Sequence, residues 1–333
     1  MSSTHRKKAA QRLADTLHIP YQTARKAIDE ALGYAYPAGI PEARPPRPQQ
    51  PTSPAAPEAD TSTGRDLRWD RFTPNQMMPA PTDYSKYAWS QFPLGRGLDG
   101  EEIVLDISSL PHTLVAGRTG SGKTVVERLL LHRALASDNW RVLAIDPKRV
   151  ELASYRKHPR MLKIATELTD SVALLEQAEQ EMYTRYRRMQ EAGVNHFMHM
   201  LDSTPAILLV VDETFALLAP ENVKSQEGKQ RDEQHARATT LLGSLLRLGR
   251  AAGIHVLLSS QRPDAKVLNG EMKSNIDVRI ACGTMDLMPS LIVMDSDDAC
   301  RTPAGPGNCA MRIGGEVVAF RAYYAEPPSP SAV

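Results

Sequence analysis

The stretch Gly117-Arg118-Thr119-Gly120-Ser121-Gly122-Lys123-Thr124 meets the pattern G-x-x-x-x-G-K-[ST] at every fixed position. An apolar run, Thr113-Leu114-Val115-Ala116, precedes it, and a helical pattern through Val125, Val126, Leu129 and Leu130 follows. Strand, glycine-rich loop and helix in that order commit a chain to an α/β layer with a phosphate-binding turn at a strand end. The glycines let backbone N–H groups turn inward, and the helix N-terminus adds the positive end of its dipole. Lys123 is placed to reach β- and γ-phosphates, and the Thr124 hydroxyl to ligate Mg²⁺. A glycine-rich turn beside a fortuitous lysine is the plainer reading, and the flanking strand and helix argue against it. The expectation is an ATP site built from Gly117, Arg118, Thr119, Gly120, Ser121, Gly122, Lys123 and Thr124, with Mg²⁺ as its companion.

The rest of the chain bounds what surrounds that site. Its 333 residues are enough for one large α/β domain with additions. A formal net charge of +1 gives no overall basic field, although a ring-shaped motor can hide a basic pore inside a neutral total. Cys282, Cys300 and Cys309 show no CxxC spacing and no secretion signal accompanies them, so reduced thiols are expected. No apolar run approaches the ~18 residues of a membrane span. The polar N-terminus excludes a signal peptide, so the reading is a cytoplasmic protein without direct membrane insertion.

Composition divides the chain. Residues 1–36 read as a helical hairpin broken at His18-Ile19-Pro20, similar to half of a helix-turn-helix. Arg6, Lys7, Lys8, Arg12, Arg25 and Lys26 face only Asp15, Asp29 and Glu30, which admits either a small nucleic-acid contact or a docking element. Residues 37–91 read as a linker, with eight prolines between Pro37 and Pro57; such a segment buries too little apolar surface to offset its ordering entropy. Residues 92–326 alternate strands and helices, and 327–333 read as a disordered tail.

Within residues 92–326, Leu94–Gly97 and Glu102–Asp106 flank an Asp99-Gly100 turn. Arg141–Ile145 is a short strand ending in Asp146-Pro147-Lys148, and Thr169–Glu191 is a helix capped by Thr169 or Asp170. The acidic–basic stretch Glu221–Arg237 reads as a mobile insertion before a helix through Leu241–Leu248, which the strands Val256–Ser260 and Val278–Cys282 follow. Gly314-Gly315 joins a terminal hairpin, Cys309–Ile313 with Val317–Tyr323. Buried runs alternating with helices predict a mostly parallel central sheet covered on both faces.

Ile207-Leu208-Leu209-Val210-Val211-Asp212-Glu213 has the form of a Walker B strand. An acid at the end of a buried strand suits Mg²⁺, and a second beside it can orient and partly deprotonate a water. Asp212 is therefore the expected metal residue and Glu213 the expected general base. A solvated Asp-Glu pair at a strand end is the alternative, and the upstream P-loop disfavours it.

Periodicity goes no further; resemblance does. Phe92-Pro93-Leu94-Gly95 through Ile107, Leu110 to Gly117, Ile145-Asp146-Pro147-Lys148 with Glu151-Leu152, Arg250 to His255, Gln261-Arg262-Pro263, and Ile276 with Arg279-Ile280-Ala281 each look like signature stretches of FtsK/SpoIIIE DNA translocases. The resemblance covers about 92 to 324. It implies a RecA-like P-loop fold, assembly into homohexameric rings and ATP-driven movement of double-stranded DNA. It further implies that Gln261 reads the γ-phosphate and that Arg250 reaches a neighbouring subunit's nucleotide, with Arg247 as substitute. A solvated helix-end cation is the other reading of Arg250. Lys266, Lys273 and Arg279 fall near loops that suit a pore, though solvated surface charge is their plainer reading.

The chain departs from the family's usual pattern. Thr214 follows Glu213 where an aromatic is usual, and the segment before the P-loop is short. Neither a membrane anchor nor a C-terminal winged helix is legible, so a partner protein or residues 1–36 must tether or direct the motor. The compact form looks like transfer proteins of actinobacterial plasmids, integrative elements or phages. Two alternatives stand beside it: an ATPase motor for protein substrates, similar to those of type VII secretion, and a P-loop adaptor bound to DNA.

Overall fold

The computed structural model describes residues 78–109, 112–265, 267–268 and 270–326. The expected hairpin at 1–36, the proline-rich stretch up to 77, the 327–333 tail and Lys266 lie outside the described residues. Ten strands form one sheet: β1 (Gln91–Gly97), β2 (Glu102–Asp106), β3 (Thr113–Ala116), β4 (Trp140–Ile145), β5 (Met161–Ala165), β6 (Ala206–Val211), β7 (Ile254–Ser260), β8 (Val278–Cys282), β9 (Asn308–Ile313) and β10 (Glu316–Ala322). Their order is β2-β1-β10-β9-β8-β3-β7-β6-β4-β5. The strands from β8 to β5 in that order run parallel. From β9 outward the pairing is antiparallel, through two hairpins. The mostly parallel α/β architecture read from the sequence is the one observed, with an antiparallel wing.

The apolar runs behave as strands buried on both faces must. Leu143 and Ile145 of β4 join Leu209, Val211, Val256 and Leu258 in one core, whereas Val142 and Ala144 join Leu208, Val210 and Leu257 in the other. Helix α1 (Lys123–Leu135) packs in the second core through Val126, Leu129 and Leu130. Helices α2 (Leu168–Ala192) and α4 (Gln226–Leu248) close the first through Leu174, Leu175, Ala178 and Met182 against Leu241, Leu242 and Leu245. Short helices α3 (Thr214–Leu218), α5 (Gly270–Ser274) and α6 (Leu287–Met294) fill in between.

Four expectations need correction. Helix α2 is not capped by Thr169 or Asp170. It starts at Leu168, where Glu167 is the cap residue without a side-chain bond, and the Glu167 carbonyl accepts from Ser171 Oγ at 2.7 Å. The stretch 221–237 is not a mobile loop, because residues from Gln226 onward are the first half of α4. Ser225 caps it by accepting from the Gly228 N–H at 3.0 Å, and its buried His235 donates from Nδ1 to the Leu217 carbonyl at 2.8 Å. Mixed charges on a solvated helix face had masked the period.

The domain also begins before Phe92. Trp140 Nε1 donates to the Trp89 carbonyl (2.9 Å), and Arg133 donates to the carbonyls of Gln91 (2.9 Å) and Ala88 (2.7 Å). Upstream, Ala80 N–H donates to Tyr324 O (2.9 Å) while Tyr324 N–H donates to Met78 O (2.7 Å). Residues 78–90 are thus laced onto the sheet and α1 rather than part of a linker. Finally, Lys273 and Arg279 do not stand free for a pore. Both donate to Asp295, at 2.7 and 2.6 Å, and both are largely buried.

Candidate functional site: a P-loop nucleotide centre

Strand order sets the site. β7 lies between β3 and β6, with Ala116 level with Ser260 and Val211 level with Leu258. The P-loop, Gln261 and the Asp212-Glu213 pair therefore leave the same sheet edge side by side. The loop itself is moulded by two close approaches. A side chain on Gly117 would meet the Cys282 carbonyl at 2.8 Å, and one on Gly122 (φ 96°) would meet the backbone N of Gly307 at 2.5 Å. Only glycine fits either position. Gly307 N–H donates to Ser121 O (3.3 Å), so the turn Gly305-Pro306-Gly307 forms the wall behind the loop. Gly122 caps α1 without a side-chain acceptor, leaving first-turn N–H groups for an anion.

Lys123 is only 5% exposed and its ammonium is fully engaged. It donates to Ser259 Oγ (2.6 Å), Glu127 Oε2 (3.0 Å) and Asp212 Oδ1 (3.1 Å). Burial pulls its pKa down, but the carboxylates of Glu127 and Asp212 outweigh burial and raise it, so Lys123 stays charged. Asp212 Oδ2 and Ser121 Oγ are buried with no hydrogen-bond partner among the described residues. One ammonium against two buried carboxylates leaves a deficit of positive charge, and the orphaned Asp212 Oδ2 suits a hard divalent cation. The donor set therefore fits Mg²⁺ with a nucleoside triphosphate.

Glu213 carries a backbone φ of 58°. A non-glycine residue in the left-handed region costs of order 1–3 kcal/mol and persists where surrounding contacts over-determine it. Here Gln261 N–H donates to Glu213 Oε1 (3.3 Å) and Lys148 Nζ donates to Oε2 (3.0 Å). Thr119 Oγ1 donates to Gln261 Oε1 (3.3 Å), linking P-loop to acid pair through one side chain. Lys148 owes its place to Asp146, whose buried carboxylate accepts from the N–H groups of Arg149 (2.9 Å) and Leu152 (3.1 Å) and so shapes the turn.

The structure gathers Lys123, Asp212, Glu213 and Gln261, with Thr124 in the first turn of α1. Arg118 turns outward to pair with Asp286, the cap residue of α6. Arg250 is not in this cluster: it is exposed, in the turn that precedes β7, at the opposite end of that strand from Gln261. Seven residues of strand span about 20 Å, beyond the reach of one side chain. Arg247 pairs with Glu271 (3.3 Å) on the same distant edge. Three participants went unassigned by sequence reasoning: Glu127, Ser259 and Lys148. Lys148 had a signal in its Asp-Pro-Lys turn; Glu127 read as ordinary helix surface, and Ser259 as strand interior.

Residues 78–219 match the FtsK/SpoIIIE family model. That part of the chain is similar to proteins of the FtsK/SpoIIIE family. The DNA translocase SftA of Bacillus subtilis is 34% identical over 218 residues, 61% of this chain and 21% of that protein. The DNA translocase FtsK of Vibrio parahaemolyticus is 30% identical over 241 residues, 62% of this chain and 22% of that protein. This chain thus spans about a fifth of the length of these curated relatives. Among solved structures, the pCW3 conjugation coupling protein TcpA, a monomer form with ATPγS, is 28% identical with a TM-score of 0.69, over 75% of this chain and 70% of that one. The cytoplasmic domain of the type VII secretion ATPase EccC of Thermomonospora curvata is 26% identical with a TM-score of 0.58, over 72% of this chain and 29% of that one.

Proposed function

We propose that the protein is an ATP-hydrolysing motor that moves double-stranded DNA, working as a homo-oligomeric ring, a hexamer, in DNA transfer in the cytoplasm. The observation that carries this reading is the convergence of Lys123, Asp212, Glu213 and Gln261 on one sheet edge in an FtsK/SpoIIIE-type domain. In this reading the P-loop amides and Lys123 hold the phosphates. Thr124 and Asp212 hold Mg²⁺, which when bound neutralises the triphosphate charge. Glu213 takes a proton from the attacking water, and Gln261 contacts the γ-phosphate from the middle of the cluster. Lys148 holds the Glu213 carboxylate in place beforehand. Arg250, out of reach of its own site, serves the neighbour's, where a fixed planar cation stabilises the developing charge. A partner protein, or residues 1–36, brings the motor to its DNA or to a membrane.

A protein-moving motor is the competing reading, supported by the likeness to EccC. One experiment separates them: ATP turnover of the full chain with linear duplex DNA or with unfolded polypeptides added. Several-fold stimulation by duplex DNA alone supports the proposal. Stimulation by polypeptide alone assigns the motor to protein, and response to neither assigns it to the adaptor class.

A further inference from the structure

An ammonium has three N–H donors and no more. In this structure Ser259, Glu127 and Asp212 take all three of those on Lys123, at 2.6, 3.0 and 3.1 Å. A lysine so engaged has nothing left for a phosphate. Nucleotide must therefore win donors from protein acceptors, and two of those acceptors are charged. Asp212 has another partner available in the nucleotide-bound state, because the reading above gives it Mg²⁺. Glu127 has no second cation: it is buried on the same helix, one turn from Lys123, and besides that lysine, its ion-pair partner among the described residues, it meets the neutral Ser259 hydroxyl.

We propose that Glu127 is a positioning residue that holds Lys123 away from the phosphates and weakens nucleotide binding in proportion to phosphate charge. This rests on the reading of the P-loop as a nucleotide site. Entry of a triphosphate draws Lys123 off Glu127 and leaves a buried carboxylate without its counterion, close to an anionic ligand. Both effects oppose binding, and both speed departure of the product. Ser259, neutral and at the end of β7, competes for a donor without adding charge. Glu127 thus acts through Lys123 and touches no reacting atom.

The test measures direct binding of ATP, ADP and AMP without Mg²⁺ to the full chain and to Glu127→Gln, which keeps the shape and a hydrogen bond while removing the charge. The expected gain follows phosphate charge: ATP about tenfold tighter, ADP about threefold, and AMP less than twofold, since its single phosphate lies farthest from Lys123. A uniform change across the three nucleotides, or an ATP affinity that is unchanged or weaker, overturns the proposal. If Glu127→Gln does not fold, the wild-type structure with ADP decides. Lys123 Nζ beyond hydrogen-bond range of Glu127 supports the proposal, and a retained contact near 3 Å refutes it. Failure of the wild-type chain to bind any of the three would instead sink the nucleotide-site reading itself.

Discussion

The two ends of β7 belong to one strand and do opposite work. At its C-terminal end Gln261 joins a crowded, mostly buried set of charges: Lys123, Glu127, Asp212 and Glu213, each with a named partner. At its N-terminal end Arg250 is exposed in a turn, and the nearby Arg247–Glu271 pair is solvated as well. A buried set of charges holds its geometry before ligand arrives, because leaving any member unpaired is costly. An exposed arginine gains its geometry only when something docks on it. In the proposed motor, half of the catalytic apparatus is prepared inside the fold and half waits for an assembly.

Substitutions at the two ends should therefore fail in different ways. The largest effect is expected from Lys123→Ala, which removes the only cation paired with Asp212 among the described residues together with the proposed phosphate ligand. ATP hydrolysis should fall to background and direct nucleotide binding should weaken at least a hundredfold. Near-normal turnover would dismantle the prepared half of the comparison. Next is Arg250→Ala. It should lower turnover by about 10³ while leaving ATP affinity of isolated subunits within twofold. Mixing it with Lys123→Ala subunits should restore part of the activity wherever an intact P-loop meets an intact arginine. No recovery at any ratio, with subunit exchange demonstrated, would place the arginine outside a shared site.

Glu213→Gln should come third, with turnover reduced about 10²-fold and ATP still bound, as expected for loss of a general base. Lys148→Met should be milder, about tenfold on kcat with little change in KM, because Lys148 only orients that acid. A change in KM alone would assign Lys148 to nucleotide binding instead.

The smallest expected effect concerns stability at the N-terminal end of β7. His112 is buried there, and its Nδ1 accepts from the Val256 N–H at 3.1 Å. Burial first, then repulsion from Arg250, lowers its pKa from 6.5 to about 4. The folded form therefore binds fewer protons than the unfolded chain between those values, so stability is full above pH 6.5 and drains away as pH falls towards 4. The loss amounts to about 3 kcal/mol. Thermal melts across that range should show the decline, and His112→Asn should flatten it.

Much of this was legible in the residues. The P-loop, the Walker B strand and the terminal hairpin follow from local patterns whose physics is short-range: glycine freedom, an unbroken apolar run ending in two acids, a Gly-Gly turn. What sequence could not supply is contact between distant segments. Glu127 looks like one more polar residue on an amphipathic helix, and only the approach of β6 and β7 buries it. Lys273 and Arg279 look free until the left-handed Asp295 at the end of α6 brings its carboxylate to both. The first half of α4 was hidden for a different reason: its face is too polar for periodicity to register, and the packing of His235 and Ala238 reveals it.

One run of hydrogen bonds has a mechanical meaning. Met78 and Ala80 are stitched to Tyr324, two residues beyond the end of β10. Ala322 N–H, one residue before that strand edge turns away, donates to Gly307 O at 2.7 Å, and Gly307 N–H grips the carbonyl of Ser121 in the P-loop. These bonds form a continuous ladder from Met78 through the end of β10 to the Ser121 carbonyl, so in the proposed motor a pull on Met78 would load the phosphate-binding turn.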